Sequence, residues 1–246
     1  MHQPRNKEQS GHVVILDIFN DPNVGLYGLA TDRYCIVGKN LKQEQVEEIK
    51  EKLNVEVIQT TLYGTDLIGI FGAGNSNTLL IPNICFEPEI ALIKSKLAKL
   101  GVKVVVLETN HTALGNNILL NDSVAIVSNV FGKKEVEAIQ SALGIKVVQM
   151  SLAGTPVPGS VGVISNKGGI FSPNLSSKEI ETLEALLGFE IGLGTVNLGN
   201  PFIATGLFAN SFGFVIGSAS SGYEISRVDE SLGLLKPKFL KPKLEE

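Results

Sequence analysis

The sequence predicts an α/β fold: a single closed ring of five tandem strand–strand–strand–helix units, each about 45 residues long. Three observations carry this. A helical spacing of apolar residues occurs five times at one period. A hairpin signal occurs five times nearly in step with it. One strand near the N-terminus is left over to close the ring.

The helices come first. Val46, Ile49 and Leu53 stand at i, i+3 and i+7, the spacing of one helical face. The same pattern returns as Ile90, Ile93 and Leu97, as Val136, Ile139 and Leu143, as Ile180, Leu183 and Leu187, and as Ile225, Val228 and Leu232. The first members lie 44, 46, 44 and 45 residues apart. Gly101, Gly144, Gly188 and Gly233 follow four of these segments, and Asn54 follows the other. Gly and Asn take the left-handed conformation that stops a helix.

Before each helix stands an Asx residue: Asp32, Asn75, Asp122, Asn166 and Asn210. Each is flanked by two short apolar runs, 26–30 and 34–37 in the first unit, then 68–71 and 78–81, 118–120 and 124–127, 161–164 and 169–171, 202–208 and 212–216. Two such runs hinged on Asx and small residues read as a β-hairpin. A further strand follows each of the first four helices, at 55–59, 102–107, 145–150 and 189–193. The fifth helix is followed instead by LLKPKFLKPK, whose prolines suit no central strand. The unpaired run 13–19 therefore supplies the missing strand of the fifth unit and shuts the ring, which also removes exposed sheet edges. Residues 12–233 form the single repeat domain in this reading. Residues 1–11 are expected to be a flexible extension and residues 234–246 a disordered Lys/Pro-rich tail.

The chain has 246 residues, 43% hydrophobic and 19% charged, ample for a buried core. Its 21 basic and 25 acidic residues leave a net charge of −4, which disfavours general coating of DNA or RNA. Two cysteines give no disulfide framework and suit a reducing cytosol. The first ten residues are polar, unlike a signal peptide, and no apolar run approaches the roughly 18 residues of a membrane span. A cytoplasmic monomer without a cofactor is expected.

Several stretches now align with a known pattern: residues 61–65 (TLYGT), 75–83 (NSNTLLIPN), 113–116 (ALGN), 121–127 (NDSVAIV), 165–173 (SNKGGIFSP) and 194–199 (GTVNLG). In this ordered set the chain resembles the translation initiation factor 6 family, in its archaeal form, over about residues 13–232. The resemblance implies the pentein fold, a five-bladed α/β propeller. It implies a non-enzymatic factor that binds the intersubunit face of the large ribosomal subunit, through ribosomal protein and rRNA, and blocks joining to the small subunit. It also implies a role in large-subunit biogenesis, and release by a translational GTPase with a Shwachman–Bodian–Diamond family protein.

The same superfamily contains enzymes that modify guanidino groups with a nucleophilic Cys in the last unit. This is the alternative reading. Units four and five hold no Cys. Cys35 sits inside an apolar strand, and Cys85 and His111 lie in different turns, so all three read as inert and no catalytic residue is assigned. No Cys or His spacing fits a metal. The five Asx residues invite a cation on the ring axis, but tight turns explain them better. The Gly-rich run 69–74 (GIFGAG) lacks the Lys-Ser/Thr of a phosphate loop.

The connections at 61–66, 109–116, 151–156 and 195–200 are rich in Thr, Ser, Asn and Gly. The repeat places them on one rim, the candidate ribosome-facing surface. Asn116 is the first candidate, matching the Asn of the family's ALGN turn in a region that contacts a large-subunit protein. Tyr63 is the second, as an exposed aromatic anchor. Thr65, Thr195 and Asn197 complete the set. Lys236, Lys238, Lys241 and Lys243 form a basic tail, read as solubilising ahead of a contact with rRNA phosphates.

Overall fold

The computed structural model describes residues 11–235; the expectations for the extension before residue 11 and for the Lys-rich tail lie outside the described residues. Five long helices stand where the periodicity places them: Gln43–Leu53, Glu87–Ala98, Lys133–Leu143, Ser177–Leu187 and Gly222–Ser231. Their stops are left-handed as expected, with φ of 51° at Asn54, 67° at Gly144 and 79° at Gly188. The inward faces are fully covered: Ile49, Ile93, Ile139, Leu183 and Val228 are all 0% exposed. Burying each such side chain contributes roughly 1.5–3 kcal/mol.

Each unit contributes a three-stranded sheet. In unit 1 the inner strand Gly28–Ala30 pairs antiparallel with the middle strand Tyr34–Gly38, which pairs parallel with the outer strand Glu56–Thr60. Units 2 to 4 repeat this arrangement around middle strands Thr78–Pro82, Val124–Val127 and Gly169–Phe171. The middle strands are buried along their whole length, which is why they read as continuous apolar runs and do not alternate. The core divides into five clusters, each filling the space beneath one long helix.

Closure occurs as the sequence predicts. Val13–Leu16 pairs parallel with the middle strand of unit 5, Phe214–Gly217, in the register Val13↔Phe214 to Leu16↔Gly217. His12 Nε2 lies 2.7 Å from Asp229 Oδ1 on the last helix, and Asn210 Nδ2 donates to the carbonyls of Thr31 and Leu53. The Asn210 bonds thus tie unit 5 to unit 1.

Two expectations need correction. Residues 68–71 and most of 202–208 are not strands. They are single turns of helix, Ile68–Phe71 and Ile203–Gly206, matched by Leu114–Asn117, Pro158–Val161 and the 3-10 turn Val24–Leu26. The inner strands that follow are only two or three residues long. Five short helices thus meet around the ring axis. They approach so closely that a Cβ on Gly25, Gly69, Gly115 or Gly159 would stand 1.9–2.0 Å from a carbonyl oxygen of the neighbouring unit. Only glycine fits there.

The second correction concerns the Asx set. The residues that cap the hairpin turns are Thr31, Asn75, Asn121, Ser165 and Asn210, each accepting from the backbone N–H groups two and three residues on. Asp32, Asp122 and Asn166 sit one residue later. There they link neighbouring units: Ser76 N–H donates to Asp122, Asp122 N–H to Asn166, and Ser211 N–H to Asp32. Asn166 Nδ2 also donates to Asp32 and Asp122 at 2.8 and 2.7 Å. The five positions are therefore used in hairpin turns and in hydrogen bonds between units. Among the described residues no group of three or more His, Cys, Asp or Glu is placed to hold a metal.

Candidate functional site

The hairpin turns lie at one end of the ring; the chain connections that lead into the short helices lie at the other. This second end is built on a pin that the sequence reading missed. The third residue of every long helix is Gln45, Glu89, Glu135, Glu179 or Glu224, again spaced 44, 46, 44 and 45. Each side chain turns back to its own helix N-cap and also grips the connection beside it. Glu89 accepts from Phe86 N–H, from Tyr63 and Gly64 N–H at 3.0 and 2.8 Å, and from the Thr61 hydroxyl at 2.5 Å. Glu224 accepts from Ser221 N–H and Oγ–H, from Leu198 and Gly199 N–H, and from the Thr195 hydroxyl. Glu135 takes the hydroxyl of Thr109, Glu179 takes Ala153 N–H, and Gln45 donates to the Asp17 carbonyl.

These bonds set the acidity of Glu89, Glu179 and Glu224. Burial resists ionisation of Glu224, but donors from Ser221, Gly199 and Thr195 outweigh it and bring the pKa from 4.5 down to about 2. Glu89 and Glu179 are lowered for the same opposed reasons. A carboxyl that is more acidic folded than unfolded loses its stabilising contribution on protonation. The contribution of Glu224 is complete above pH about 4.5 and vanishes as pH falls towards 2. Glu224→Gln should therefore lower the urea midpoint at neutral pH and reduce the acid-side loss of stability across that window. An unchanged pH profile in the variant would show that Glu224 is not the group responsible.

The pinned connections are strained. Phe19, Tyr63, Ala153, Asn197 and Leu198 all have positive φ, between 49° and 61°. Bulky residues in this region cost about 1–2 kcal/mol each. The strain holds apolar side chains out in solvent: Leu198 is 78% exposed, Phe19 48% and Tyr63 47%. Tyr63 leans on Phe86 at 5.5 Å and stands edge-on to Phe71 at 6.2 Å, and Phe86 is itself 52% exposed. Units 5, 1 and 2, neighbours around the ring, each hold an exposed apolar side chain at this position, forming an arc.

The structure separates the five candidates. Tyr63 is on this arc with its ring available. Asn116 is not in the rim turn; it belongs to the short helix Leu114–Asn117 and faces the axial cavity. Its carboxamide makes no hydrogen bond among the described residues. The side chains of the other three are engaged internally. The Thr65 hydroxyl donates to the Leu62 carbonyl and accepts from Leu67 N–H, and Thr195 binds Glu224. Asn197 donates to the Pro22 carbonyl and accepts from the Ser220 hydroxyl, joining unit 5 to unit 1. Phe19, Phe86 and Leu198 were not picked out from the sequence. The period would have found Phe19 and Leu198, which share the repeat position of Tyr63.

The thiols offer no nucleophile. Burial raises Cys35 far above the ordinary range and Cys85 to about 11. His111 packs edge-on against Phe131, and no hydrogen bond joins it to Cys85 among the described residues. No helix among the described residues is long and apolar enough to cross a membrane.

The eIF-6 family model matches residues 13–231. Translation initiation factor 6 of Pyrococcus abyssi is 39% identical over 91% of this chain and 100% of its own length. The protein of the same name from Pyrococcus horikoshii is 38% identical over 91% and 100%, and that from Thermococcus kodakarensis 40% identical over 91% and 99%. Among solved structures, a dimethylarginine dimethylaminohydrolase adduct is 13% identical with a TM-score of 0.43, covering 86% of this chain and 74% of that one. An agmatine deiminase from C. jejuni is 14% identical with a TM-score of 0.32, covering 48% and 46%. With five α/β units closed in a pentein-type ring and a family match along almost all of them, the chain belongs to the eIF-6 family.

Proposed function

We propose that this protein binds the large ribosomal subunit through the end of the ring that carries Tyr63 and Asn116, and so prevents the small subunit from joining. The observation that carries this reading is the apolar arc of Phe19, Tyr63 and Leu198, with Phe86 exposed beside Tyr63. The first three are held out in solvent at positive φ, and exposed apolar side chains fixed in this way mark an interaction surface. Membership of a translation initiation factor family supports a ribosomal partner. The mechanism is steric exclusion and asks for no catalytic group, in keeping with the weakly acidic thiols. A stable interface of this kind buries about 1,600 Å². On this reading the protein acts in the cytoplasm as a monomer and takes part in large-subunit biogenesis. A translational GTPase and a Shwachman–Bodian–Diamond family protein release it.

Sedimentation with purified subunits tests the proposal. The protein should travel with the large subunit alone and reduce the yield of joined ribosomes. Tyr63→Ala and Asn116→Ala should each weaken binding roughly tenfold, the cost of losing one interface anchor. Failure to sediment with the large subunit would refute the reading.

A further inference from the structure

At the hairpin end of the ring, the residue after each turn cap is Asp32, Ser76, Asp122, Asn166 or Ser211. In four of the five units its backbone N–H donates to the equivalent side chain of the next unit: Ser76 to Asp122, Asp122 to Asn166, Asn166 to Ser211 Oγ and Ser211 to Asp32. The fifth link, from Asp32 to Ser76, is not made, and the buried Ser76 Oγ has no partner among the described residues. The turn caps show a gap in the same unit. Asn121 and Asn210 Nδ2 donate to the carbonyls of the next unit's caps, Ser165 and Thr31. Asn75 accepts through Oδ1 from its own turn, but its Nδ2 has no partner although the residue is only 2% exposed. Asn75 lines a small cavity with Asp32, Asp122 and Asn166, walled by all five units. Its volume, about 20 Å³, is enough for one water molecule. Asp32 and Asp122 share a single donor there, Asn166 Nδ2, at 2.8 and 2.7 Å. Neither carboxylate is in an ion pair among the described residues. Lys167, beside Asn166, is spent on the Ser211 carbonyl at 2.7 Å.

We propose that this end of the axis binds one hard divalent cation, of the magnesium or calcium type, between Asp32 and Asp122. Two like charges held together by one neutral amide repel, and a buried amide without a partner is costly. A cation that carries water answers both. Each carboxylate accepts from Asn166 and from one backbone N–H, that of Ser211 or of Ser76, and so keeps about two of its roughly four lone-pair sites for a metal. Hard cations take oxygen ligands, and magnesium in particular is held through one or two carboxylates while it keeps several waters. One such water sits in the cavity, where its oxygen accepts from Asn75 Nδ2. An anion would face two carboxylates, and a metal that prefers nitrogen or sulfur finds no His or Cys in the lining. This is not a cage of five Asx side chains: only two carry charge. The ion bridges units 1 and 3 over unit 2, the unit whose own links are open. The site lies at the end opposite Tyr63 and stands independently of the ribosomal reading.

Calorimetric melts and isothermal titration of the full chain test the proposal, with magnesium chloride and calcium chloride compared against sodium chloride at matched ionic strength. At least one of the two metals should bind as one ion per chain and raise the melting midpoint by roughly 2–4 °C at concentrations well above its Kd. Asp122→Asn and Asp32→Asn keep the size of the side chain and remove one charge each. Both should fold, and both should lose the titration heat and the metal-dependent rise. If one of them fails to fold, the other decides. No response of the unmodified chain to either metal, beyond that to sodium chloride, overturns the proposal. So does an undiminished response in a folded variant, which would place the ion elsewhere.

Discussion

Gly69→Ala should destabilise the protein by more than about 4 kcal/mol or abolish folding. The added Cβ would stand 1.9 Å from the Gly25 carbonyl oxygen and 2.9 Å from that of Gly28, both backbone atoms of the neighbouring unit. No rotamer change relieves a clash with backbone. The neighbours cannot retreat outward either, because Gly115 and Gly159 make the same contact onward around the ring. A displacement in one unit must be taken up by all five. Gly222→Ala is the control: its added methyl group would have nothing within 4 Å, and the residue opens a long helix. It should be neutral or stabilising by up to about 1 kcal/mol. Chemical denaturation of both variants measures the difference. Similar midpoints would mean that the axial contacts are softer than their distances imply.

Removal of residues 1–19 should abolish the cooperative unfolding transition. Val14 and Ile18 are 0% exposed, so the deletion empties part of the core between units 5 and 1. It leaves Phe214–Gly217 without its parallel neighbour and Asp229, 5% exposed, without His12. Calorimetry or urea titration followed by circular dichroism reads the outcome. A truncated chain that folds with unchanged stability would show that the ring does not depend on this strand.

The long helices and the closing strand were legible because each rests on several residues that obey one rule. Ile49 and Leu53 lie on a face that four further segments repeat, and residues 13–19 are the one predicted strand without a preceding helix. The short helices were not legible. Four residues such as Ile68–Phe71 complete barely one turn, and an apolar run of that length fits a strand equally well. What decides it is the close approach at Gly69, a contact between units that no local pattern contains. The hairpin turns were found, but one residue out in three units. Asp32, Asp122 and Asn166 resemble the turn residues beside them, and only the hydrogen bonds distinguish the two roles.

The candidate site was legible in part. Tyr63 could be recognised as an exposed aromatic within a polar turn. Asn116 was recognised through its motif but assigned to the rim, since the helix that moves it to the axis was unseen. The acidic pins had a visible signal in Ser176–Glu179 and Ser221–Glu224, both in the capping-box pattern, and their spacing matches that of the helices. Taken singly, they look like ordinary surface charges. Thr195 and Asn197 are the converse case: polar turn residues whose side chains face inward and hold the ring together.

The strand that closes the ring also sets an order of events during synthesis. Val13 pairs with Phe214, and Asp17 accepts from the backbone of Ser218, 201 residues later. Four sheets can form from strands that leave the ribosome close together, whereas the fifth must wait until nearly the whole chain has been made. Until then the apolar strand at residues 13–16 has no proper mate, and neither does the axial face of unit 1. Closing so large a loop is slow, and an unpaired strand is exposed to wrong pairing in the interval. The nascent chain therefore carries a sticky end for most of its translation, and that hazard disappears only when the last unit emerges.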